Sequence, residues 1–415
     1  MRRSMHARLP RRKHLRSALC LATLWLAIGG APCAPEVVDG ADTAQGRSRR
    51  SRPPEVYVTP SLPWEGPLPE VRLDLSSVCR LPGEPVTSPV WADAERLVVA
   101  TADPEGAGRH LRLCGVRSAE PLWSVVLPQA PAGQIAADAQ RAYVAFSTGE
   151  VRAYELSTGA EAWRSQSPGG EATGLARAGE AVLVSHATGL AALDPRQGGV
   201  RFFAELGEAP LLPLAECAGR WILALPTGGL RALDPRDGRV LWRRALPGSP
   251  AAPACDGESR VVVGTSAREL VSLTATRGRR KWAHKLGGVV GVPVVFYAEG
   301  VYAGGLDGQV YGLKADSGHR MWSVGVGERV RRAPARVRDL LAVAAAGETR
   351  LSLIHLPTGS PLLEAEAPPE AAGWVGSPAA NGDLLAAAAD RRASPDGLLL
   401  VFRVEETAGA SASAR

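Results

Sequence analysis

Short runs of β-forming residues alternate with turn residues along most of the chain. Residues 300–305 and 309–313 are rich in Val, Tyr and Leu, whereas the adjoining residues 306–308 and 316–318 contain Asp, Ser and Gly. Alternating apolar and polar positions, bounded by Gly and Asp, are typical of half-buried strands joined by hairpins. The chain is therefore predicted to be all-β.

This group of strands repeats about every 40 residues. Large apolar residues mark the repeat at Trp123, Trp163, Phe203, Trp242, Trp282 and Trp322, with Leu363 in the next repeat. Turn glycines precede them at Gly159, Gly199, Gly238, Gly278, Gly318 and Gly359. Four short strands in every 40 residues indicate a β-propeller blade.

Prolines indicate which strand of each blade is innermost. Pro213, Pro253 and Pro293 recur at 40-residue intervals, and Pro334 follows one repeat later. Proline cannot donate a hydrogen bond to a neighbouring strand, so it is confined to sheet edges. These positions are therefore predicted to line the central channel, where the first strand of each blade has a free edge.

The repeats number eight. Seven of them end by Leu363, and the eighth begins at Ser377 and runs to Phe402. It lacks a fourth strand, which the alternating segment Val71–Leu75 can supply, and a ring closed in this way has no open blade that invites aggregation. The sequence therefore predicts an eight-bladed β-propeller of four-stranded antiparallel blades, closed by an N-terminal strand.

The N-terminal segment has the layout of an export signal. Residues 1–33 contain seven Lys and Arg residues and no acid, and an apolar run covers Ala18–Ile28. This pattern is typical of a signal peptide, and the apolar run is short for a membrane-spanning helix. Cys33 stands where a bacterial lipoprotein carries its lipidated cysteine. Lipidation at Cys33 and ordinary cleavage nearby both stay open.

The remaining chain divides into a linker, one domain and a tail. Residues 34–63 contain five prolines and an Arg-rich run with almost no apolar periodicity, which predicts a flexible linker. Residues 64–407 form the predicted propeller. The Ala- and Ser-rich residues 408–415 are predicted to be a disordered tail.

Removal of the signal changes the charge balance. The whole chain has 48 Lys and Arg against 42 Asp and Glu, whereas the chain without residues 1–33 has 41 bases against 42 acids. A nearly neutral domain gives no reason to expect nucleic-acid binding. One basic cluster, at Arg329, Arg331, Arg332, Arg336 and Arg338, is interpreted as a solvated surface, with an acidic partner as the alternative.

Four cysteines lie in the predicted domain. Cys79, Cys114, Cys217 and Cys255 allow three pairings, and export permits disulfides. Cys79 with Cys114 and Cys217 with Cys255 are favoured because each pair lies on neighbouring blades. Free buried thiols are the alternative.

Motifs that carry chemistry are sparse. His110, His186, His284, His319 and His355 are scattered over the repeats, and the sequence contains neither a Cys-x-x-Cys-His haem motif nor a phosphate-binding loop. We therefore predict no catalytic, cofactor-binding or metal-binding residue, and no bound cofactor.

The run Val310-Tyr311-Gly312-Leu313-Lys314-Ala315-Asp316-Ser317-Gly318, followed by Trp322, resembles the PQQ-like (quinoprotein-type) propeller repeat. The resemblance covers about residues 71–404 and implies that each Trp packs between neighbouring blades. In size, blade number, export signal and tether, the chain is similar to the family's non-catalytic envelope lipoproteins of the β-barrel assembly machinery (BamB-like).

This resemblance implies an exported, non-catalytic scaffold at the bacterial cell envelope, in the periplasm or anchored to the outer membrane, with a role in outer-membrane protein assembly. Loops on the propeller faces would contact envelope proteins, the N-terminus would tether a monomer to the membrane, and no nucleic acid is expected. The alternative is a PQQ-dependent oxidoreductase. Dehydrogenases of this family carry an adjacent Cys–Cys pair, a calcium site and a catalytic Asp, and no two cysteines are adjacent here.

Overall fold

The computed structural model describes residues 57–58, 68–103, 108–344, 350–392 and 394–407. The predicted signal 1–33 with Cys33, most of the linker 34–63 and the tail 408–415 lie outside the described residues. In the described part, no helix is long and apolar enough to cross a membrane.

The described residues form eight antiparallel blades, which confirms the predicted all-β propeller. Two strands precede the first blade: β1 (Tyr57–Val58) and β2 (Glu70–Leu81). Blade 1 contains β3 (Glu84–Pro85), β4 (Val90–Trp91), β5 (Arg96–Ala102), β6 (Arg109–Gly115) and β7 (Trp123–Leu127). Blade 2 contains β8 (Ala136–Ala137), β9 (Arg141–Ala145), β10 (Glu150–Glu155) and β11 (Glu161–Gln166). Blade 3 contains β12 (Ala172–Ala178), β13 (Ala181–His186), β14 (Gly189–Leu193) and β15 (Val200–Glu205).

The remaining blades follow the same order from inner to outer strand. Blade 4 contains β16 (Leu211–Cys217), β17 (Arg220–Leu225), β18 (Gly229–Leu233) and β19 (Val240–Ala245). Blade 5 contains β20 (Ala254–Cys255), β21 (Arg260–Gly264), β22 (Glu269–Thr274) and β23 (Arg280–Lys285). Blade 6 contains β24 (Val295–Tyr297), β25 (Gly300–Gly304), β26 (Gln309–Lys314) and β27 (Arg320–Gly325). Blade 7 contains β28 (Ala335–Val337), β29 (Leu340–Ala344), β30 (Arg350–His355) and β31 (Pro361–Glu366), and blade 8 contains β32 (Ala371–Asn381), β33 (Leu384–Arg391) and β34 (Gly397–Thr407).

The repeated prolines mark the inner strands. Pro213 lies in β16, and Pro253, Pro293 and Pro334 lie one or two residues before β20, β24 and β28. The inner strand of each blade has a strand neighbour on one side. A missing N–H on the channel side therefore breaks no backbone hydrogen bond.

An N-terminal strand closes the ring. Strand β2 pairs with β34 over its whole length, from Glu70 opposite Thr407 to Leu81 opposite Gly397, and becomes the outer strand of blade 8. The strand is longer than the five residues Val71–Leu75 from which closure was predicted. The eighth blade is thus assembled from both ends of the domain, and unfolding of either end exposes its neighbours.

The repeated tryptophans join each blade to the next. Their indole Nε1 atoms donate hydrogen bonds to backbone carbonyl oxygens of the following blade: Trp123 to Leu156 (2.9 Å), Trp163 to Pro195 (3.0 Å), Trp242 to Ala275 (2.8 Å), Trp282 to Ala315 (2.9 Å) and Trp322 to Leu356 (2.9 Å). Each ring thus buries a large apolar surface at the seam and satisfies its one polar atom.

The repeat glycine of the following blade lies against this ring. Gly318 has a φ of +72°, and a Cβ atom added to it would lie 2.6 Å from the ring of Trp282. The same close contact joins Gly159 to Trp123, Gly278 to Trp242 and Gly359 to Trp322. A side chain at Gly318 would therefore need a left-handed backbone and the space that the indole already fills.

Blade 3 differs by one residue from the assignment made on sequence. Phe202, rather than Phe203, takes the place of the tryptophan, because a Cβ atom at Gly238 would lie 2.4 Å from the Phe202 ring. Gly198 has a φ of +71° and contacts the ring of the preceding blade, whereas a Cβ atom at Gly199 would meet open space. The spacing from the preceding tryptophan to Phe202 is 39 residues, so a strict 40-residue period selects Phe203 and Gly199 instead.

One short strand lies in the segment predicted to be a flexible linker. Tyr57 pairs with Ser323 and Val58 with Trp322, so β1 adds a fifth strand to the outer edge of blade 6. The linker prediction over 34–63 is therefore corrected at Tyr57–Val58. Val, Tyr and Val at 56–58 are strong β-formers, and an open edge strand offers them unpaired backbone groups.

Two carboxyl groups meet at the seam between blades 7 and 8. Glu406 lies near the end of β34, and its side chain contacts Asp339 in the turn between β28 and β29. Nε2 of the buried His355 lies 3.4 Å from Oδ2 of Asp339. Burial, the hydrogen bond with Asp339 and repulsion from that carboxylate raise the pKa of Glu406 to about 7, against the opposing charge of Arg338.

We predict that Gly318→Ala lowers the free energy of unfolding by roughly 2–4 kcal/mol, because it combines a left-handed φ with overlap on the Trp282 ring. The matched control is Gly207→Ala, where φ is +84° but a Cβ atom would meet nothing within 4 Å. The control should cost about 1 kcal/mol. Urea unfolding measures both, and equal costs would show that the ring contact contributes nothing.

We also predict a pH effect at the seam between blades 7 and 8. The pKa of Glu406 is higher in the folded than in the unfolded chain, so the folded state binds more protons in this window and its stability falls as pH rises from about 4.5 to about 7. Glu406→Gln should remove this fall and raise the melting temperature at pH 8 by about 2 °C. The exposed neighbour Glu405→Gln is the control, and identical pH profiles of the two variants would contradict the assignment.

Candidate functional site

The main cavity of the described residues lies in the central channel. Its volume is about 690 Å³, and it is bounded by the inner strands of blades 1 to 4, with Ser377 contributed by blade 8. Val90, Ala136, Leu175 and Leu212 are among the side chains of its wall. Pro226, in the hairpin between the second and third strands of blade 4, lines one end of the cavity. We call this end the channel mouth.

Neutral polar groups in the cavity wall bond to one another. Thr173 Oγ1 lies 2.8 Å from Ser185 Oγ, and the Ser88 N–H donates to Gln134 Oε1 at 3.0 Å. The N–H of Ser377 donates to Ser88 Oγ at 2.9 Å. Most residues that line the cavity are apolar, and these polar groups already have partners. Such a wall suits the burial of an apolar side chain from a ligand or partner.

The charge at the edge of the cavity is balanced inside the protein. Arg177 is the charged residue among those that line the cavity, and its Nη2 lies 3.4 Å from Asp138 Oδ2. Its guanidinium lies 5.7 Å from the centre of the Tyr143 ring, whose hydroxyl donates to the same carboxylate at 2.7 Å. Burial raises the pKa of Asp138, but the Tyr143 hydroxyl, two backbone N–H groups and Arg177 outweigh it and hold that pKa below its usual value.

A buried serine and histidine form a pair that the sequence did not indicate. Ser167 Oγ lies 2.6 Å from His186 Nε2, and His186 Nδ1 lies 3.1 Å from the Glu171 carbonyl oxygen. Burial lowers the pKa of His186, which favours the neutral ring. The pair has the spacing of a nucleophile and a base, but Ser167 and His186 are 2% and 0% exposed. Its place in the structure is to join the end of blade 2 to blade 3.

The other histidines stay on separate blades. His110 contacts Asp103, His355 bonds Thr358 Oγ1 at 2.8 Å, and His319 is exposed at a turn. Burial, and then the charges of Arg320 and His319, lower the pKa of His284. The five histidines thus belong to five different blades, and His319 lies near enough to His284 to act on its charge.

The cysteines occupy two different seams. Cys217 of β16 and Cys255 of β20 form a disulfide between the inner strands of blades 4 and 5. Cys79 of β2 and Cys114 of β6 are free, buried and in hydrogen-bond contact between blades 8 and 1. The structure thus contains one of the two pairs favoured on sequence. The expectation of a bridge between Cys79 and Cys114 is corrected to two neighbouring thiols, which corresponds to the alternative of free buried thiols.

A possible metal-binding group coincides with that disulfide. Among the described residues, Cys217, Cys255 and Asp256 place one ligand atom each within 4.8 Å of one another. Two of these three atoms are the disulfide sulfurs. A thiolate is the metal-binding form of cysteine, so the group has one remaining metal-binding side chain in this state.

The arginines near the start of blade 7 do not form a single patch. Arg332 is half-buried and donates to the Trp374 carbonyl oxygen at 2.6 Å. Arg336 lies over the Tyr297 ring, 5.5 Å from its centre. Arg329, Arg331 and Arg338 are exposed. The cluster therefore divides between packing at the seams and a solvated surface.

Comparison with protein-family models identifies one family. A family model described as "Outer membrane protein assembly factor BamB" matches residues 64–211 and 226–402. No curated protein sequence matches the chain. The repeat that carries the sequence resemblance thus extends over most of the chain.

Solved structures share the fold at low sequence identity. "The crystal structure of BamB from Moraxella catarrhalis" is 16% identical with a TM-score of 0.63, over 80% of this chain and 100% of that chain. The computationally designed Ika8 protein is 14% identical with a TM-score of 0.62, over 79% of this chain and 99% of that chain. A natural and a designed propeller therefore share this architecture.

We predict that the Cys217–Cys255 disulfide stabilises the junction of blades 4 and 5. The double variant Cys217→Ser with Cys255→Ser should lose roughly 4 kcal/mol of unfolding free energy, since the bridge closes a loop with a sequence separation of 38. Urea unfolding with and without a thiol reductant measures this loss. The reductant should destabilise the parent and leave the variant unchanged, and an unchanged parent would contradict the prediction.

Proposed function

Since the chain belongs to the family described as outer membrane protein assembly factor BamB, we propose that it is an exported, non-catalytic scaffold that binds envelope proteins during outer-membrane protein assembly. The observation that carries the proposal is the family match over most of the propeller. The fold alone would not assign this function, because propellers support many activities.

The channel mouth is the proposed docking point. Its wall is apolar, its neutral polar groups are paired with one another, and Arg177 is balanced by Asp138. A loop of a partner that inserts an apolar side chain would bury surface without stranding a charge. The blades around the mouth are held by their seams, so the docking surface is preorganised.

Two features support export. Residues 1–33 have the pattern of a signal peptide, and the domain contains the Cys217–Cys255 disulfide. Disulfides persist in oxidising compartments such as the periplasm. The proposal places the chain in the periplasm or, with lipidated Cys33, at the outer membrane, as a monomer.

Photo-crosslinking tests the docking point. A benzophenone amino acid at the exposed Thr173 or Pro226 of the channel mouth should give the same discrete adduct with a component of the outer-membrane assembly machinery. The control is the same probe at the exposed Glu258, in the turn between β20 and β21 at the other end of the channel. Adducts from Glu258 but from neither mouth position would move the docking surface and overturn the proposal.

A cofactor titration separates the proposal from its enzymatic alternative. The protein is mixed with pyrroloquinoline quinone and calcium while tryptophan fluorescence is followed. A scaffold should show no saturable quenching at micromolar ligand. Saturable quenching would contradict a non-catalytic role and favour a quinone-dependent oxidoreductase.

A further inference from the structure

The outer surface of blades 4 to 6 is strongly basic. Residues 274–286 of blade 5 contain five cations and no acid, and all five are exposed: Arg277, Arg279, Arg280, Lys281 and Lys285. The exposed cations on the adjoining blades are Arg236, Arg239, Arg243 and Arg244 of blade 4 and Arg320 of blade 6. We call these ten residues the basic rim.

The cations of the basic rim outnumber the acids beside them, which are Asp237, Glu269 (opposite Lys285 across β22 and β23) and Asp316. Among the ion pairs of the described residues, none involves a member of the rim. Some cations near the outer strands of other blades are paired: Arg164 with Glu161, Arg201 with Asp194 and Arg350 with Glu364. The rim differs from these surfaces because it places ten exposed cations on three consecutive blades without an ion pair among the described residues.

The three outer strands that carry the rim follow one another around the ring. Trp242 of β19 bonds to blade 5, and Trp282 of β23 bonds to blade 6. Arg244 also donates across the first seam, to the Gly278 carbonyl oxygen at 2.7 Å. The rim is therefore one continuous convex surface.

The N-terminal segment joins the propeller at the same place. Strand β1 pairs with β27 at the outer edge of blade 6. The pairing thus places Tyr57–Val58 at the outer edge of the blade that carries Arg320 of the basic rim.

We propose that the basic rim faces an anionic lipid membrane. This inference rests on the proposed export of the chain. In the sequence, the residues that precede β1 add four further cations: Arg47, Arg49, Arg50 and Arg52.

A lipid surface fits the rim better than a folded acidic protein does. The cations spread over a convex surface of three blades and surround no cavity, so they match a broad sheet of negative charge rather than a few localised acids. Each Lys or Arg near an anionic membrane strengthens binding about fivefold. If the rim faces the membrane, the axis of the central channel runs parallel to the membrane surface. The channel mouth then stays accessible to a partner.

Vesicle binding tests the inference. The full chain with Cys33→Ser, which cannot be lipidated, is mixed with phosphatidylcholine vesicles or with vesicles containing phosphatidylglycerol, and bound protein is measured by flotation. The seven Lys and Arg residues of segment 1–33 also favour anionic vesicles, so the contribution of the rim is read from the two variants below, which share this segment with the parent. Binding should be stronger to the anionic vesicles and should weaken with salt.

Two matched variants locate the surface. The rim variant changes Arg277, Arg280, Lys281 and Lys285 to Gln, and the control changes the exposed Arg72, Arg80, Arg117 and Arg196 on blades 8, 1 and 3 to Gln. Both lose four charges, and unchanged melting temperatures show that both fold. The rim variant should bind anionic vesicles about 20-fold or more weakly, and the control should stay within about twofold of the parent.

Two outcomes would overturn the inference: a parent that does not distinguish the vesicles, or variants that weaken equally. The first leaves an acidic protein as the partner of the rim, and the second reduces the effect to net charge. Neither depends on crosslinking at the channel mouth, so failure of the scaffold proposal is distinguishable from failure of this one.

Discussion

The contact between an indole ring and a turn glycine sets the spacing of the blades. The ring of Trp282 lies against Gly318 and donates its one hydrogen bond to the Ala315 carbonyl oxygen of the same turn. A ring of blades closes only if the rotations from each blade to the next add up to a full turn. A change in the rotation at one seam must therefore be compensated by changes at the other seams. A contact that is both sterically tight and hydrogen-bonded restricts the rotation and the separation of neighbouring blades together.

The seams without a tryptophan are closed in a different way. Leu363 of blade 7 joins an apolar cluster with Trp374 and Phe402 of blade 8. On the other side of blade 8, Cys79 and Cys114 lie in a cluster shared with blade 1. Apolar packing is less directional than a hydrogen bond, so it fixes the position of blade 8 less tightly. The long pairing of β2 with β34 instead fixes the strands of blade 8 relative to each other. The closure is also where Glu406 and Asp339 bring ionisable groups together, which makes this seam sensitive to pH.

The sequence predicted the repeated features and the closing strand, and it missed several features that occur once. The tryptophan period, the inner-strand prolines and the closing strand each follow from local patterns and were sufficient to predict the blades. Phe203 was wrong by one residue because two adjacent phenylalanines fit a 39- or 40-residue spacing equally well. The pairing of Tyr57 with Ser323 had no signal beyond a short β-forming run, and the 690 Å³ cavity depends on how closely the inner strands of four blades approach.

Net charge conceals how the charge of this domain is distributed. The chain without its signal is nearly neutral, which on sequence gave no reason to expect nucleic-acid binding. In the fold, acids and bases of blades 2, 3 and 7 meet as pairs such as Glu161 with Arg164, whereas no ion pair of the described residues involves Lys281 or Lys285 of blade 5. At physiological salt the field of a charge fades within about 8 Å, so a distant acid does not compensate a surface cation. An association surface is therefore determined by local imbalance, and a propeller allows it because each blade presents its outer strand separately to solvent.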